Sequence, residues 1–300
     1  MKETTRYKFH TPVLLSEVIY YLKVETGYWY VDATSGGGGH TEAILQNGGN
    51  VLALDQDTGA LEYIRGHLNK YLESGQLQLC EGNFRDIDEI VRQKQIQKIK
   101  GILFDLGMST YQLKEAGRGF SFLRSEPLDM RMSLSLKTTA ADIINTYSRE
   151  ELYEIFRKFG EEHLGLELAD IICRTRRLKK FQLTTDLGDL ASNIYKKAGI
   201  HEKIHPATRA FQALRIAVNS EIDNLRKAIP KAFEIIDTSG RLIVISFHSL
   251  EDRIVKQSFL GLVSQGKASL VTKKPLVVTE AEKKLNPASR SAKLRVIQKN

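Results

Sequence analysis

The sequence has 300 residues, 42% of them hydrophobic, which is enough to bury the core of one large α/β unit or of two domains. No window approaches the ~18 uninterrupted apolar residues of a membrane span, and the first residues lead into no signal-peptide hydrophobic region, so we expect a cytoplasmic protein without a membrane partner. Residues 174–215 and 267–300 each carry a net charge of +7, and the rest of the chain carries −6, which gives +8 in total. Two separate basic segments favour a polyanionic partner over two merely solvated surfaces.

Four short apolar runs alternate with helical stretches in the first third of the chain, at residues 29–33, 51–55, 77–81 and 101–105. This alternation predicts a parallel, Rossmann-like sheet with crossover helices. In such sheets, ligands bind beyond the carboxyl ends of the strands. The residues at these ends are Asp32, Asp55, Phe84 and Asp105. We therefore expect one edge of the sheet to bring them together.

A loop of four glycines, residues 36–39, follows the first run. Glycines there can take φ > 0 and let backbone N–H groups approach a ligand. The loop departs from the dinucleotide fingerprint because Thr41 occupies the place of its third glycine. An acid before the loop, Asp32, and another after the next strand, Asp55, favour a site for S-adenosylmethionine (SAM), with Asp55 on the ribose. The alternatives are a plain tight turn and the cofactor loop of a NAD-dependent oxidoreductase.

Phe84, Asp105 and His248 lie at or just after the ends of predicted strands and suit the same edge of the sheet. Phe84 is expected either to stack on an adenine ring or to belong to the core. Asp105 ends the fourth strand, where class I methyltransferases bring the acceptor atom to the methyl group, and it is the best candidate for a catalytic residue. His248 follows a fifth strand, where it either faces the same cleft or helps to start a helix with Ser249 as its N-cap.

A helical region separates the fourth strand from the fifth. A capping box and apolar spacing at i, i+3 and i+4 predict several helices, one capped by Thr185 or Asp186 and one running without a break from Pro206 beyond Ile229. Strands return at 241–247, at 270–272 or 276–279, and at 294–298.

This order of elements predicts two domains. We expect a discontinuous Rossmann-like domain, residues 1–114 and 210–300, and an inserted all-helical substrate-binding domain, residues 115–209. Within the inserted region the segment from His201 to His205 spells HExxH, the zinc-protease signature, which requires both histidines on one helical face. Pro206 pushes the residue before it out of the α region, so we expect no metal site here.

Basic residues near and within the insertion are candidates for contact with RNA. Arg118 and Arg131 lie on loops marked by glycine and proline and could hold phosphates. A basic run follows further on, and its members Arg176, Arg177, Lys179 and Lys180 could track an RNA backbone. A non-catalytic RNA-binding ribosome assembly factor would explain this charge, but not the polar residues at the strand ends.

Eight stretches of the chain carry long, specific motifs, at residues 9–15, 32–41, 105–113, 118–122, 127–132, 205–219, 246–256 and 286–295. Through them the chain closely resembles the RsmH (MraW) family of bacterial SAM-dependent methyltransferases. These enzymes methylate N4 of a cytidine in the decoding region of small-subunit (16S) ribosomal RNA. The resemblance implies the α/β fold of class I methyltransferases with an inserted helical domain, and as partner the ribosomal RNA, free or in the 30S particle. We expect a monomer or a homodimer.

The resemblance also implies which residues touch the cofactor. Matched position by position, the family's SAM contacts fall on Gly38, Gly39, His40, Asp55, Phe84, Asp105 and Gln112. Of these, His40 and Gln112 follow from the resemblance alone, whereas the other five also lie in the glycine loop or at strand ends.

Overall fold

The computed structural model describes residues 12–109, 112–113, 117–201 and 203–300. The chain divides into two compact units, a sheet unit comprising Met1–Ser109 and Ile222–Asn300, and a helical unit comprising Thr110–Glu221. These boundaries differ from those expected at 114/115 and 209/210. The second one falls later because the helix that spans residue 210 packs against another helix of the helical unit.

The sheet unit contains one eight-stranded sheet. Its strands are β1 (Trp29–Asp32), β2 (Asn50–Asp55), β3 (Leu77–Glu81), β4 (Ile99–Asp105), β5 (Arg241–Ser246), β6 (Ala268–Leu270), β7 (Leu276–Val277) and β8 (Lys293–Lys299). The order is β3-β2-β1-β4-β5-β8-β6, and β7 also pairs with β8. The first five strands are parallel and β8 is antiparallel to β5. This order confirms the predicted Rossmann-like sheet. Strands form near both alternatives for the sixth strand, but β6 overlaps the expected 270–272 only at Leu270, and β7 covers only the first half of 276–279.

The helices of the described residues are α1 (Leu15–Leu22), α2 (Gly39–Gln46), α3 (Thr58–His67), α4 (Asn69–Glu73), α5 (Ile87–Gln93), α6 (Ala140–Thr146), α7 (Arg149–Gly160), α8 (Gly165–Thr175), α9 (Thr184–Lys197), α10 (Ala207–Asn219), α11 (Glu221–Ile235), α12 (Ser249–Ser264) and α13 (Glu280–Leu285). The 3₁₀ turns Phe84–Asp86 and Pro287–Ser291 follow β3 and α13. Within the described part of the chain, none of the helices combines the length and apolar character that crossing a bilayer requires.

The central strands of the sheet are buried on both faces. All six residues of β5 are buried, as are the four middle residues of β2. Helices cover both faces of a parallel sheet, so its strands are continuous apolar runs. Each fully buried Val, Leu or Ile side chain stabilises the fold by about 1.5–3 kcal/mol. Gly101 of β4 is required by this packing, since a Cβ there would lie 2.6 Å from Cδ2 of Leu22 and 3.0 Å from Cδ1 of Tyr30.

The helical unit contains α6 to α10. Helices α6 and α7 begin with capping boxes, in which the side chain of Thr139 accepts the N–H of Asp142 and that of Ser148 accepts the N–H of Glu151. In each box the acid returns a bond to the backbone of the cap, so two otherwise unsatisfied donors gain partners. The box at Ser148 is the one that the sequence predicts.

The predicted cap of α9 is wrong. The helix begins at Thr184 with Leu183 at the N-cap, not at Thr185 or Asp186. Asp186 still contributes to this end, because its Oδ2 accepts the backbone N–H of Leu183 at 2.9 Å. The carboxylate therefore lies inside the helix and binds the backbone of the N-cap residue.

The single long helix predicted from Pro206 beyond Ile229 is also wrong. Ser220 has φ 51, in the left-handed region, and ends α10, after which α11 begins at Glu221. Apolar residues keep a helical spacing on both sides of this break, so the hydrophobic pattern alone does not reveal it.

Candidate active site

The glycine loop after β1 is shaped by close packing. Gly38, the N-cap of α2, has φ 77, and a Cβ there would lie 2.9 Å from Cγ1 of Ile64. At Gly39 a Cβ would lie 2.9 Å from Cγ of Pro12. Real Cβ contacts are not this short, so both positions require glycine for the loop to keep its course. Pro12 belongs to the motif at residues 9–15, of which residues 9–11 lie outside the described part.

Asp55 at the end of β2 is bound directly to this loop. Its Oδ2 accepts the backbone N–H of Gly36 at 2.8 Å, and its Oδ1 accepts that of Asp57 at 2.9 Å. Burial raises the pKa of Asp55 to about 6, although these two hydrogen bonds oppose the shift. Each carboxylate oxygen has two lone pairs, so each keeps one for a further donor. The side chain can therefore accept two neighbouring hydroxyl groups, such as those of a ribose.

Asp32 at the end of β1 anchors the start of α2. The residue is 1% exposed, and its Oδ2 accepts the hydroxyl of Thr41 at 2.7 Å. Burial raises the pKa of this carboxyl, whereas His40 and the Thr41 hydroxyl lower it less. Thr41 thus has a structural role at the place where a dinucleotide site has its third glycine. The sequence did not predict this role, although a threonine close to an acid at the end of a predicted strand could have indicated it.

His40 and Asp105 form a buried pair. His40 is 4% exposed, and its Nε2 lies 3.0 Å from the carbonyl oxygen of Val13. Its Nδ1 lies 3.6 Å from Oδ2 of Asp105. The backbone N–H of Asp105 donates to Oγ1 of Thr34 at 2.6 Å, which ties the end of β4 to the loop after β1. A carboxylate and an imidazole therefore lie together at the carboxyl ends of β1 and β4.

Phe84 lies at the neighbouring strand end. It is half-buried and begins the 3₁₀ turn after β3, and the backbone N–H of Gly82 before it donates to the carbonyl of Asp55 at 2.9 Å. Its ring meets the buried ring of Phe104 edge to face, with 5.6 Å between centroids. The Phe84 ring is therefore packed in part against the core, and the part that stays exposed is available for stacking.

The N-cap expected at Ser249 is wrong, since Ser249 is the first residue of α12. His248 is the cap, and its Nδ1 accepts the backbone N–H of Glu251 at 3.4 Å. Glu251 completes a capping box by accepting the backbone N–H of His248 at 3.4 Å, and the same oxygen also accepts that of Phe247 at 2.8 Å. The imidazole thereby takes the capping role that Ser, Thr, Asp or Asn usually has. Because Ser is a favoured cap residue and His is not, the sequence placed the N-cap at Ser249, one residue too late.

Gln112, Arg118 and Arg131 belong to the helical unit. The side chain of Gln112 is buried there. Arg118 donates through Nη1 to the carbonyls of Arg131 and Met132, at 3.1 and 3.0 Å. Arg131 binds both carboxylate oxygens of Asp129, each at 2.7 Å. Although burial opposes it, this pairing holds the pKa of Asp129 below its usual value. Both arginines therefore hold their own loop together.

The basic run of the helical unit divides into bound and exposed members. Arg176 donates through Nη1 to the carbonyl of Ile144 at 2.6 Å, and Lys179 pairs with Asp186 at 2.7 Å. Arg177 and Lys180 are exposed. Lys179 is exposed as well, although it is paired, so three of these four charged side chains face solvent.

The HExxH segment is not helical at its histidines. His201 and His205 lie outside any helix, and Glu202 lies outside the described residues. His205 stacks on Phe122 with 4.4 Å between centroids, and its Nδ1 accepts the N–H of Ala207 at 3.2 Å. The prediction that Pro206 keeps His205 out of a helix is confirmed.

Comparison with known proteins relates nearly the whole chain to one family. The family model for the MraW methylase family matches residues 7–300. The ribosomal RNA small subunit methyltransferase H of Sulfurihydrogenibium sp. (strain YO3AOP1) is 44% identical over 289 residues, which are 96% of this chain and 98% of that protein. The protein of the same name from Persephonella marina (strain DSM 14350 / EX-H1) is 42% identical over 292 residues, 97% and 99% of the two chains.

Among solved structures, an rRNA methylase from Streptococcus thermophilus covers 96% of this chain and 97% of its own, with 12% identity and a TM-score of 0.46. The assignment depends on the family model and on the relatives above 40% identity, which extend over nearly all residues. They confirm the resemblance that the sequence motifs carry. The chain therefore belongs to the MraW methylase family.

Proposed function

We propose that this protein transfers the methyl group of SAM to N4 of a cytidine in the decoding region of small-subunit ribosomal RNA. Two relatives above 40% identity carry the name ribosomal RNA small subunit methyltransferase H, which supports the substrate class. The observation that carries the proposal is the arrangement at the strand ends. The Asp55 carboxylate lies on the glycine loop and the His40–Asp105 pair lies beside it, all within the sheet unit.

The residues at this edge fit a cofactor that contains a ribose and an adenine. Asp55 keeps one lone pair on each oxygen after binding the loop, as two ribose hydroxyls require. Phe84 offers a partly exposed ring for the adenine. Gly38, Gly39 and the backbone of His40 would pass beneath the rest of the cofactor. Gln112 stays a proposed contact that rests on the family resemblance.

The bound cofactor supplies an electrophilic methyl group on a positively charged sulfur. Asp105 would orient the amine of the cytosine for in-line attack, in which a carbon–nitrogen bond forms and the carbon–sulfur bond breaks. Such alignment can contribute roughly 7–11 kcal/mol to lowering the barrier. The amine must also lose a proton, and the Asp105 carboxylate is the proposed first acceptor. The target base has to leave its stack to reach this edge.

Contact with RNA is proposed for the basic run of the helical unit. Arg177 and Lys180 are exposed, and Arg176 and Lys179 flank them with partners inside the unit. Arg118 and Arg131, which the sequence also suggested as phosphate ligands, are better explained by the backbone carbonyls and the carboxylate that they bind. The substrate would be free ribosomal RNA or the 30S particle in the cytoplasm.

The decisive experiment is mass mapping of small-subunit ribosomal RNA from cells that lack the gene. We expect one cytidine of the decoding region to lose a methyl group, and the wild-type gene to restore it. Restoration by Asp105→Ala with full efficiency would remove Asp105 from the mechanism. An unchanged methylation pattern in the deletion strain would refute the proposed function. Calorimetry with SAM and with NAD tests the alternative of an oxidoreductase, which predicts binding of NAD alone.

A further inference from the structure

We propose that Glu282 is a positioning residue for the active site. From the C-terminal helix α13 it holds residues 12–14 in place, and these residues in turn fix the imidazole of His40 against Asp105. The geometry stands independently of the reaction, whereas its consequence for catalysis rests on the proposed function.

The first link joins the two ends of the chain. Oε1 of Glu282 accepts the backbone N–H of Leu14 at 2.8 Å, across 268 positions of sequence. Leu14 has φ 53, in the left-handed region that residues with a Cβ rarely adopt, and it is 1% exposed. Leu14 is the N-cap of α1, so its N–H has no acceptor within that helix, and the Glu282 carboxylate supplies its partner.

The second link keeps Glu282 itself in place. The hydroxyl of Thr279 accepts the N–H of Glu282 at 3.2 Å and caps α13. Val278, just before this cap, is 3% exposed and belongs to the same apolar cluster as Val13 and Leu14. The carboxylate is thus presented by a short helix without buried residues, whose start is held by Val278 in the core that also contains residues 13 and 14.

The third link connects residues 12–14 to the active site. The carbonyl of Val13 lies 3.0 Å from Nε2 of His40, and Pro12 contacts the loop at Gly39. A carbonyl only accepts, so Nε2 must carry a hydrogen. In the neutral ring the lone pair then lies on Nδ1, which is 3.6 Å from Oδ2 of Asp105.

This tautomer matters for the fate of a proton at Asp105. A lone pair on Nδ1 can share a proton that the carboxylate takes up, whereas the opposite tautomer would present a hydrogen and leave the Val13 carbonyl without its donor. The carbonyl of Val13 therefore determines whether Nδ1 of His40 presents a lone pair or a hydrogen to Asp105. Glu282 fixes the position of that carbonyl, because the Val13 carbonyl and the Leu14 N–H belong to the same peptide group.

The direct test measures the tautomer of His40 in the protein without cofactor, by long-range ¹H–¹⁵N NMR. The His40→Gln variant identifies the signal by its loss. We expect the Nε2–H form in the wild type and in Glu282→Gln, whose amide oxygen can still accept the Leu14 N–H. In Glu282→Ala we expect a mixture of both tautomers. If Glu282→Ala does not fold, Glu282→Asp provides the test, because its shorter side chain withdraws the carboxylate from Leu14.

The matched control is Glu280→Ala on the same helix, since the Glu280 side chain is 81% exposed and pairs with Lys283 of the same helix. We expect the wild-type tautomer in this variant. The Nε2–H form in Glu282→Ala and in Glu282→Asp, or a mixture in Glu280→Ala, would overturn the proposal.

A double-mutant cycle on SAM affinity, measured by calorimetry, tests whether Glu282 acts through His40. We expect Glu282→Ala to weaken binding about tenfold in the wild-type background and to have no further effect in His40→Gln. Equal losses in both backgrounds would contradict an action through His40. A wild-type protein that does not bind SAM would refute the proposed function, and the tautomer measurement would still decide the role of Glu282.

Discussion

The backbone N–H of Gly36 donates to the Asp55 carboxylate across 2.8 Å, which joins the glycine loop after β1 to the end of β2. One side chain thus holds the loop and keeps lone pairs for a ligand. Removal of this carboxylate affects the loop and the ligand together, and the first two predictions follow from that double role.

We expect Asp55→Ala to weaken SAM binding by roughly a hundredfold or more. Two hydroxyl groups lose a charged acceptor, and hydrogen bonds to charged groups contribute about 1.5–3 kcal/mol each. Isothermal titration calorimetry measures the loss. Glu81→Ala is the control, because Glu81 is an exposed acid that pairs in register with Asp55 at the end of β3. Similar losses in both variants would contradict a direct contact with Asp55.

SAM affinity should depend on pH through Asp55. Burial raises its pKa to about 6, so the carboxyl is largely protonated below that pH in the free protein. Hydroxyl donors favour the ionised form, so affinity should be nearly constant above pH 7 and should fall about fivefold between pH 6 and pH 5. Titrations between pH 5 and 8 measure this slope. The Asp55→Asn variant should bind weakly with a much flatter slope, and an equally steep slope would assign the titration to another group.

The stability of the protein without cofactor should change with pH in the opposite direction. The folded pKa of Asp55 lies above the unfolded value of about 3.9, so its contribution is complete below that pH and is lost as pH rises through about 6. Burial shifts Asp32 in the same direction. We expect the free energy of unfolding in urea to fall from pH 5 to pH 7.5. In the Asp55→Asn variant the free energy of unfolding should decrease less over this pH range. An equal decrease in both proteins would argue against a raised pKa of Asp55.

Thr41→Val should destabilise the sheet unit by about 1–3 kcal/mol, because a buried carboxylate loses the hydroxyl that it accepts. Thr41→Ser keeps the hydroxyl and should retain most of the stability. Urea unfolding of the two variants provides the comparison. Equal stability of the Val and Ser variants would show that the hydroxyl of Thr41 adds nothing to the fold.

Removal of two exposed charges, Arg177→Ala with Lys180→Ala, should weaken RNA binding. If both contact single-stranded RNA, the slope of log affinity against log salt should fall by about 1.4, with SAM affinity unchanged. The matched control is Arg226→Ala with Lys227→Ala, which removes two exposed charges from α11 in the other unit. A slope that both double variants lower equally would mean that net charge, and not this run, attracts the RNA.

The sheet and its edge were predictable because their signals are local. Apolar runs that end in Asp32, Asp55 and Asp105 mark strand ends, and parallel strands bring such ends to one side. The glycine loop was also predictable from a local run of residues. Its packing against Pro12 and Ile64, however, explains the glycines as fully as a bound ligand does.

The remaining features depend on groups that are distant in sequence or replace the usual residue type. Arg118 and Arg131 looked like phosphate ligands, but a guanidinium satisfies backbone carbonyls and a carboxylate equally well. His248 caps α12 with a ring nitrogen, which statistics on cap residues do not suggest. The left-handed Ser220 interrupts a helical pattern that continues on both sides.

The pairing of β4 with β5 has a consequence for synthesis of the chain. Ile102 and Leu242 are partners in the centre of the sheet, although about 140 residues, mostly the helical unit, separate them. At 5–20 residues per second, a ribosome needs on the order of ten seconds to make that stretch. The edge of β4 that later pairs with β5 therefore stays unpaired while the inserted helices are made. An unpaired strand edge can pair with another chain, so the nascent protein depends on protection of that edge from aggregation until β5 emerges.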